Sequence, residues 1–133
     1  AMGLLFYGVH GTDFATPSYL EHEFGPGLTR AKMQRYWDWY APEEARSNPE
    51  VAPLAAGDAE LAALPPLYLS AAGLDPLRSD TEMLAVRLAA LGRNDRFDLV
   101  EGVVHGFMQM GNALPEARDA FAAAGEAFLR KPA

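Results

Sequence analysis

The 133-residue chain has no cysteine. Disulfides, thiolate metal ligands and a cysteine nucleophile are therefore excluded. The same absence fits a reducing compartment, and the expected location is cytoplasmic. Long apolar runs are missing too: none approaches the ~20 residues that a membrane span requires. Residues 1–7 are apolar but short and lack a basic flank, so they do not read as a signal peptide. Positive charge is scarce, with 11 Lys and Arg against 18 Asp and Glu and a formal net charge of −7. A basic face able to neutralise phosphates is not expected, which argues against nucleic acid as a partner and weakly against anionic membranes. There is no internal repeat, no low-complexity tract and no Gly-x-Gly-x-x-Gly phosphate loop.

What is present is ordinary soluble-protein composition, 50% hydrophobic and 22% charged. One domain of this length buries roughly two-thirds of its unfolded surface, enough for one core. Residues 4–9 form an apolar run closed by Gly8 and Gly11 and read as a buried strand. Residues 12–27 carry Pro17, Gly25, Pro26 and Gly27 and read as mostly irregular. Met33, Tyr36, Trp37 and Tyr40 recur at helical spacing over 28–40, and Pro42 stops that helix. Residues 41–65 read as a loop with one short helix around 59–64.

A second buried strand spans 67–72, introduced by Pro65-Pro66 and ended by Gly73. Ser79-Asp80-Thr81-Glu82 has the pattern of a capping box, with Asp80 as a first-turn acid complementing the helix dipole. The helix it opens places Leu84, Leu88 and Leu91 on one face and stops at Gly92. Phe97 and Leu99 alternate with charged residues over 96–100, a third strand ending near Gly102. Pro115 suits a first helical position, and Ala117, Phe121, Ala124 and Phe128 form the expected buried stripe of the last helix. Strands alternating with helices predict an α/β fold with a parallel sheet and right-handed crossovers.

Two loops carry the candidate chemistry, Gly73 to Asp80 after the second strand and Glu101 to Phe107 after the third. Reactive groups collect at the carboxyl ends of parallel strands. Asp75 and His105 at the ends of neighbouring strands could meet, the carboxylate fixing the histidine tautomer. On residue type alone an Asp such as Asp75 after a strand is more often a helix cap or turn residue, and a loop histidine such as His105 is usually just polar and exposed.

The segment Tyr68-Leu69-Ser70-Ala71-Ala72-Gly73-Leu74-Asp75-Pro76-Leu77-Arg78-Ser79-Asp80, followed by Val104-His105-Gly106-Phe107, resembles the hormone-sensitive-lipase-like branch of the α/β-hydrolases. The resemblance implies a partial α/β-hydrolase fold of about three parallel strands with flanking helices and a helical cap insert. It divides the chain into a first strand (1–11), a cap-like insert (12–64) and a strand-helix-strand-helix unit (65–133). It implies that Asp75 is the acid and His105 the general base of a catalytic triad. Tyr36 and Trp37, with Trp39 and Tyr40, resemble part of the substrate-covering cap; plain packing of one amphipathic helix explains them equally well.

The same family needs a Gly-x-Ser-x-Gly elbow and an upstream His-Gly-Gly-Gly segment for the oxyanion. The four serines, Ser18, Ser47, Ser70 and Ser79, lack a glycine two residues earlier. The chain therefore resembles the C-terminal part of a carboxylic ester hydrolase, expected to be inactive or very weak alone. Small esters would be substrates only if a missing half completed the site. A non-catalytic oligomerising or binding module is the alternative, and a bared strand edge makes a homo-oligomer the expected state. No cofactor is implied. His10 with Asp13, or His22 with Glu21 and Glu23, lacks a third ligand at useful spacing, so no metal site is expected.

Overall fold

A computed structural model describes residues 1–130, so the last three residues of the 65–133 unit lie outside the described residues. Three parallel strands, β1 (Gly3–Phe6), β2 (Leu67–Leu74) and β3 (Arg96–Val104), form one sheet in the order β1-β2-β3. Among the described residues five α-helices accompany it: α1 (Pro17–Glu21), α2 (Arg30–Tyr40), α3 (Asp58–Ala62), α4 (Arg78–Ala90) and α5 (Pro115–Leu129). β2 is central and buried over all but its last residue. A strand covered on both faces reads as a continuous apolar run, which is why residues 67–72 show no alternation.

The two faces of the sheet feed different clusters. Leu5, Leu69 and Phe97 share one register row. They pack with Leu67, Leu84 and Leu88, so α4 covers this face. Ala72 and Val103 pack on the other face with Phe107, Ala117 and Ala120. A third cluster joins Tyr19, Met33 and Trp37 to Leu77, fastening α1 and α2 onto the turn that follows β2. Among the described residues no helix is long and apolar enough to cross a membrane.

Several local expectations need correction. β1 stops at Phe6 rather than Val9, because Tyr7 turns the chain with φ +38°. β3 runs past Gly102 to Val104. Gly102, at φ +74°, lies where the β2–β3 register shifts, so the glycine makes a bulge instead of a stop. The 12–27 region holds α1, with Ser18 and Tyr19 fully buried.

The capping box does not form: α4 begins one residue before Ser79 with Leu77 as its N-cap. The Ser79 hydroxyl instead accepts from the Ser18 amide at 3.1 Å, and the Ser79 amide donates to the Ser18 Oγ at 2.9 Å. Asp80 does lie in the first turn, but it is buried and its Oδ2 accepts from the amides of His10 (2.9 Å) and Gly11 (2.8 Å). A tertiary demand has taken both side chains from the helix end. On α5 the buried stripe is Ala117, Ala120 and Ala124, with Phe121 and Phe128 exposed. The helix therefore meets the rest of the fold on its small residues, and the large ones point away. On α2, Met33 and Trp37 are buried while Tyr36 and Tyr40 remain exposed.

The Asp80 anchor has a consequence for pH. Burial pushes the Asp80 carboxyl up to about 6, even though the two amide donors favour its charged form. Burial pulls the neighbouring His10 down to about 4. A carboxyl with a raised folded value weakens the fold above that value and stops doing so as pH falls into the ordinary carboxylate range. A histidine with a lowered folded value costs stability as pH falls from the ordinary imidazole range. The two effects oppose each other over one interval. Asp80→Asn, neutral at every pH, leaves His10 unopposed. Between about pH 6.5 and pH 4.5 its Tm should fall by about 5 °C more than that of the unsubstituted chain in calorimetry.

Candidate active site

Asp75 follows β2 and His105 follows β3, so adjacent parallel strands deliver both loops to the same end of the sheet. Asp75 is fully buried. Its Oδ1 accepts from the Leu77 amide at 2.9 Å, closing a turn over Pro76. Its Oδ2 lies 2.8 Å from His105 Nδ1. With the imidazole neutral, Nδ1–H donates to the carboxylate and Nε2 is left as an acceptor. The His105 side chain is 31% exposed, so the ring is held on one side and open on the other.

The Asp75 turn is tied down from several directions. Ser18 Oγ donates to the Pro76 carbonyl at 2.6 Å. Arg78 donates to the Gly73 carbonyl at 3.0 Å and to Glu21 at 2.7 Å, and that guanidinium holds the Glu21 carboxyl below its usual range. Leu77 is buried in the cluster with Tyr19 and Trp37. Behind His105, Phe107 is fully buried in the cluster with Ala72 and Ala117. Asp75 and His105 thus both leave short loops whose flanking residues are core.

An open cleft of about 430 Å³ adjoins the imidazole, lined by Val9, Leu28, Met33, Tyr36, Trp37, Tyr40, Val51, Leu77 and His105. Tyr36 and Trp37, singled out from sequence, are both on its wall, Trp37 almost fully buried and Tyr36 half-exposed. The walls are apolar apart from the tyrosine hydroxyls and His105, so the cleft suits an uncharged hydrocarbon group placed beside a proton acceptor.

The other singled-out groups lie away from the Asp75–His105 pair. Ser18 and Ser79 bond to each other, Ser70 is buried within β2, and Ser47 is exposed on the rim of a second cavity. Glu21 pairs with Arg78 and Glu23 with Arg30. Among the described residues no three His, Cys, Asp or Glu side chains are grouped to hold a metal ion. Two residues against the site were missed from sequence. Tyr7 packs edge-on against His105, ring centroids 4.8 Å apart. Asp80 ties the His10 loop to the start of α4. No motif flags Tyr7, and Asp80 carried the stronger pattern of a helix cap.

A doubly covered parallel sheet with an acid–imidazole pair at its strand ends defines an α/β protein of the hydrolase type. The chain belongs to the α/β-hydrolase fold family, in its esterase and hormone-sensitive-lipase branch: the family described as "alpha/beta hydrolase fold" matches residues 1–109. It is 33% identical over 119 residues to Carboxylesterase NlhH of Mycobacterium tuberculosis, covering 88% of this chain and 37% of that protein. Hormone-sensitive lipase of Homo sapiens is 41% identical over 73 residues, 55% of this chain and 7% of the lipase. A thermostable esterase from Pseudomonas putida ECU1011 superposes with a TM-score of 0.88 at 30% identity, over 93% of this chain and 40% of the esterase. Carboxyl esterase 2 from the fungus Tuber melanosporum gives 0.88 at 26% identity, over 96% and 43%. The chain thus spans about 40% of the length of these esterases.

The Asp75–His105 bond selects a tautomer that free imidazole disfavours. ¹⁵N-detected NMR of the unsubstituted chain at about pH 9, where imidazoles are neutral, should show His105 as the Nδ1–H form. Asp75→Asn should move it to the Nε2–H form while the chain still unfolds cooperatively.

Proposed function

We propose that this chain is the C-terminal portion of a serine carboxylic-ester hydrolase, with Asp75 as triad acid and His105 as general base. The observation that carries the reading is the 2.8 Å contact between a fully buried carboxylate and His105 Nδ1, with the ring open to an apolar cleft. Agreement with esterases over about 40% of their length supports it. In the completed protein a serine from outside these residues attacks the ester carbonyl as His105 Nε2 takes the hydroxyl proton. The imidazolium, stabilised by Asp75, then protonates the departing alkoxide and leaves an acyl-enzyme. A water that gives its proton to the same Nε2 attacks that ester; the acyl–oxygen bond breaks, the proton passes from Nε2 to the departing serine oxygen, and the acid is freed. Tyr36 and Trp37 are the substrate-contacting candidates, and residues 12–64 serve as the covering insert over a small ester.

Acid and base act as a unit with the nucleophile, so without a serine they contribute little. The chain alone is therefore inactive or very weak. A second reading, a non-catalytic module that self-associates, is favoured by the free edge of β1. That four-residue edge, Gly-Leu-Leu-Phe, carries no charge or proline to block pairing, and Leu4 is partly exposed. A homo-oligomer is the expected state under either reading.

The proposed activity and the association are tested separately. Treatment with a fluorophosphonate should give no adduct by intact mass, and p-nitrophenyl butyrate should not turn over; in a protein that adds the serine-bearing half, His105→Ala should cut kcat by roughly 10³-fold or more. Light scattering after size exclusion should return a mass of at least twice the chain's 14.4 kDa, and a monomer would refute association.

A further inference from the structure

Besides the Asp75 contact, the His105 ring meets the ring of Tyr7. Tyr7 ends β1 with φ +38°, the left-handed region that a bulky residue occupies only under constraint. Among the described residues no other non-glycine residue has a positive φ. Its ring meets His105 edge-on at a 64° interplanar angle, and Phe107 backs it at 5.9 Å. A bare glycine would meet the backbone requirement without strain, so what an aromatic adds here is the ring.

The constraint comes from both sides of Tyr7. Its amide donates to the Ser70 carbonyl at 2.6 Å, fixing it to β2. Three and four residues on, the amides of His10 and Gly11 are held by the buried Asp80 carboxylate. The turn between is tight: a Cβ on Gly8 would collide with the His10 ring. Asp75 lies in the turn after β2 and Asp80 in the first turn of α4 directly behind it. One holds the imidazole and the other holds the segment whose tyrosine leans on that imidazole.

We propose that Tyr7 is a positioning residue for His105: its ring, kept in a strained backbone by the Ser70 and Asp80 anchors, stops the imidazole rotating out of line with Asp75. The inference rests on the Asp75–His105 pairing proposed above. The hydrogen bond fixes one point of the imidazole, which can still swing about its Cβ–Cγ bond. A ring set at 64° against it blocks that swing and keeps Nε2 directed at the cleft. Burial and the nearby Asp75 charge raise the Tyr7 phenol above its usual value, so the ring stays neutral beside the base.

The test is ¹⁵N long-range NMR of His105 at about pH 9 in the unsubstituted chain and in Tyr7→Phe, Tyr7→Leu, Tyr7→Gly and Asp75→Asn. Tyr7→Phe should keep the Nδ1–H form and a sharp Cε1–H line. Tyr7→Leu and Tyr7→Gly should shift most of the population to Nε2–H and broaden that line, with cooperative unfolding retained in at least one of them. Tyr7→Gly also relieves the backbone, so a merely structural role predicts an unchanged or steadier His105. An unaltered Nδ1–H form in the Leu and Gly variants, together with its loss in Asp75→Asn, overturns the role of Tyr7 alone. An unaltered form in Asp75→Asn as well overturns the pairing and this inference with it.

Discussion

A carboxylate with no solvent exposure must find donors, and the upper end of this sheet is arranged around that need at Asp75. A buried neutral hydrogen bond is worth about 1 kcal/mol, whereas an ionised carboxylate without donors costs several kcal/mol or titrates away. Asp75 has the Leu77 amide on one oxygen and the His105 imidazole within 2.8 Å of the other. The Leu77 bond requires the tight turn over Pro76, and the turn in turn sets where α4 begins. The His105 bond requires β3 to reach Val104 before it releases the chain, which the bulge at Gly102 permits.

The same turn is where the first half of the chain is fastened to the second. Ser18, Tyr19 and Glu21 of α1 all engage it, through the Pro76 carbonyl, the Leu77 side chain and Arg78. The His10 loop reaches it through Asp80. Residues between β1 and β2 build a cluster of their own from Tyr19, Met33, Trp37, Ala41 and Ala52, closed against Leu77 of that turn. They close over the sheet's carboxyl end, and the cleft beside His105 is the space left where α2 fails to seal against that end. Met33 and Trp37 are packed on Leu77 while Tyr36 and Tyr40 stand at the rim, so one helix both completes a core and walls a cleft.

Much of this was legible in the residues. The strand-helix alternation led to the parallel sheet, the Pro and Gly boundaries fell within a few residues of the observed ends, and Asp75 and His105 were reached from their loops and their motif context. Pattern arguments failed where a side chain answered to a partner far along the chain. Ser79 and Asp80 satisfy a helix-start pattern, yet their bonds run to Ser18, His10 and Gly11, some 60 to 70 residues away. Phe121 and Phe128 satisfy an apolar stripe, yet alanines face the sheet. Spacing reports which residues share a helix face, not which face lies close enough to another element to demand small side chains.

The amino-acid sequence by itself determined the class of fold, the order of its elements and the two side chains at its strand ends, because these depend on local periodicity, turn residues and a short contiguous motif. The tertiary structure alone decided that Asp75 and His105 meet at hydrogen-bond distance, that Tyr7 leans on the imidazole from a left-handed backbone, and that Asp80 anchors a loop rather than a helix end. Those outcomes depend on distances between segments brought together by strand register and core packing, which no local pattern encodes.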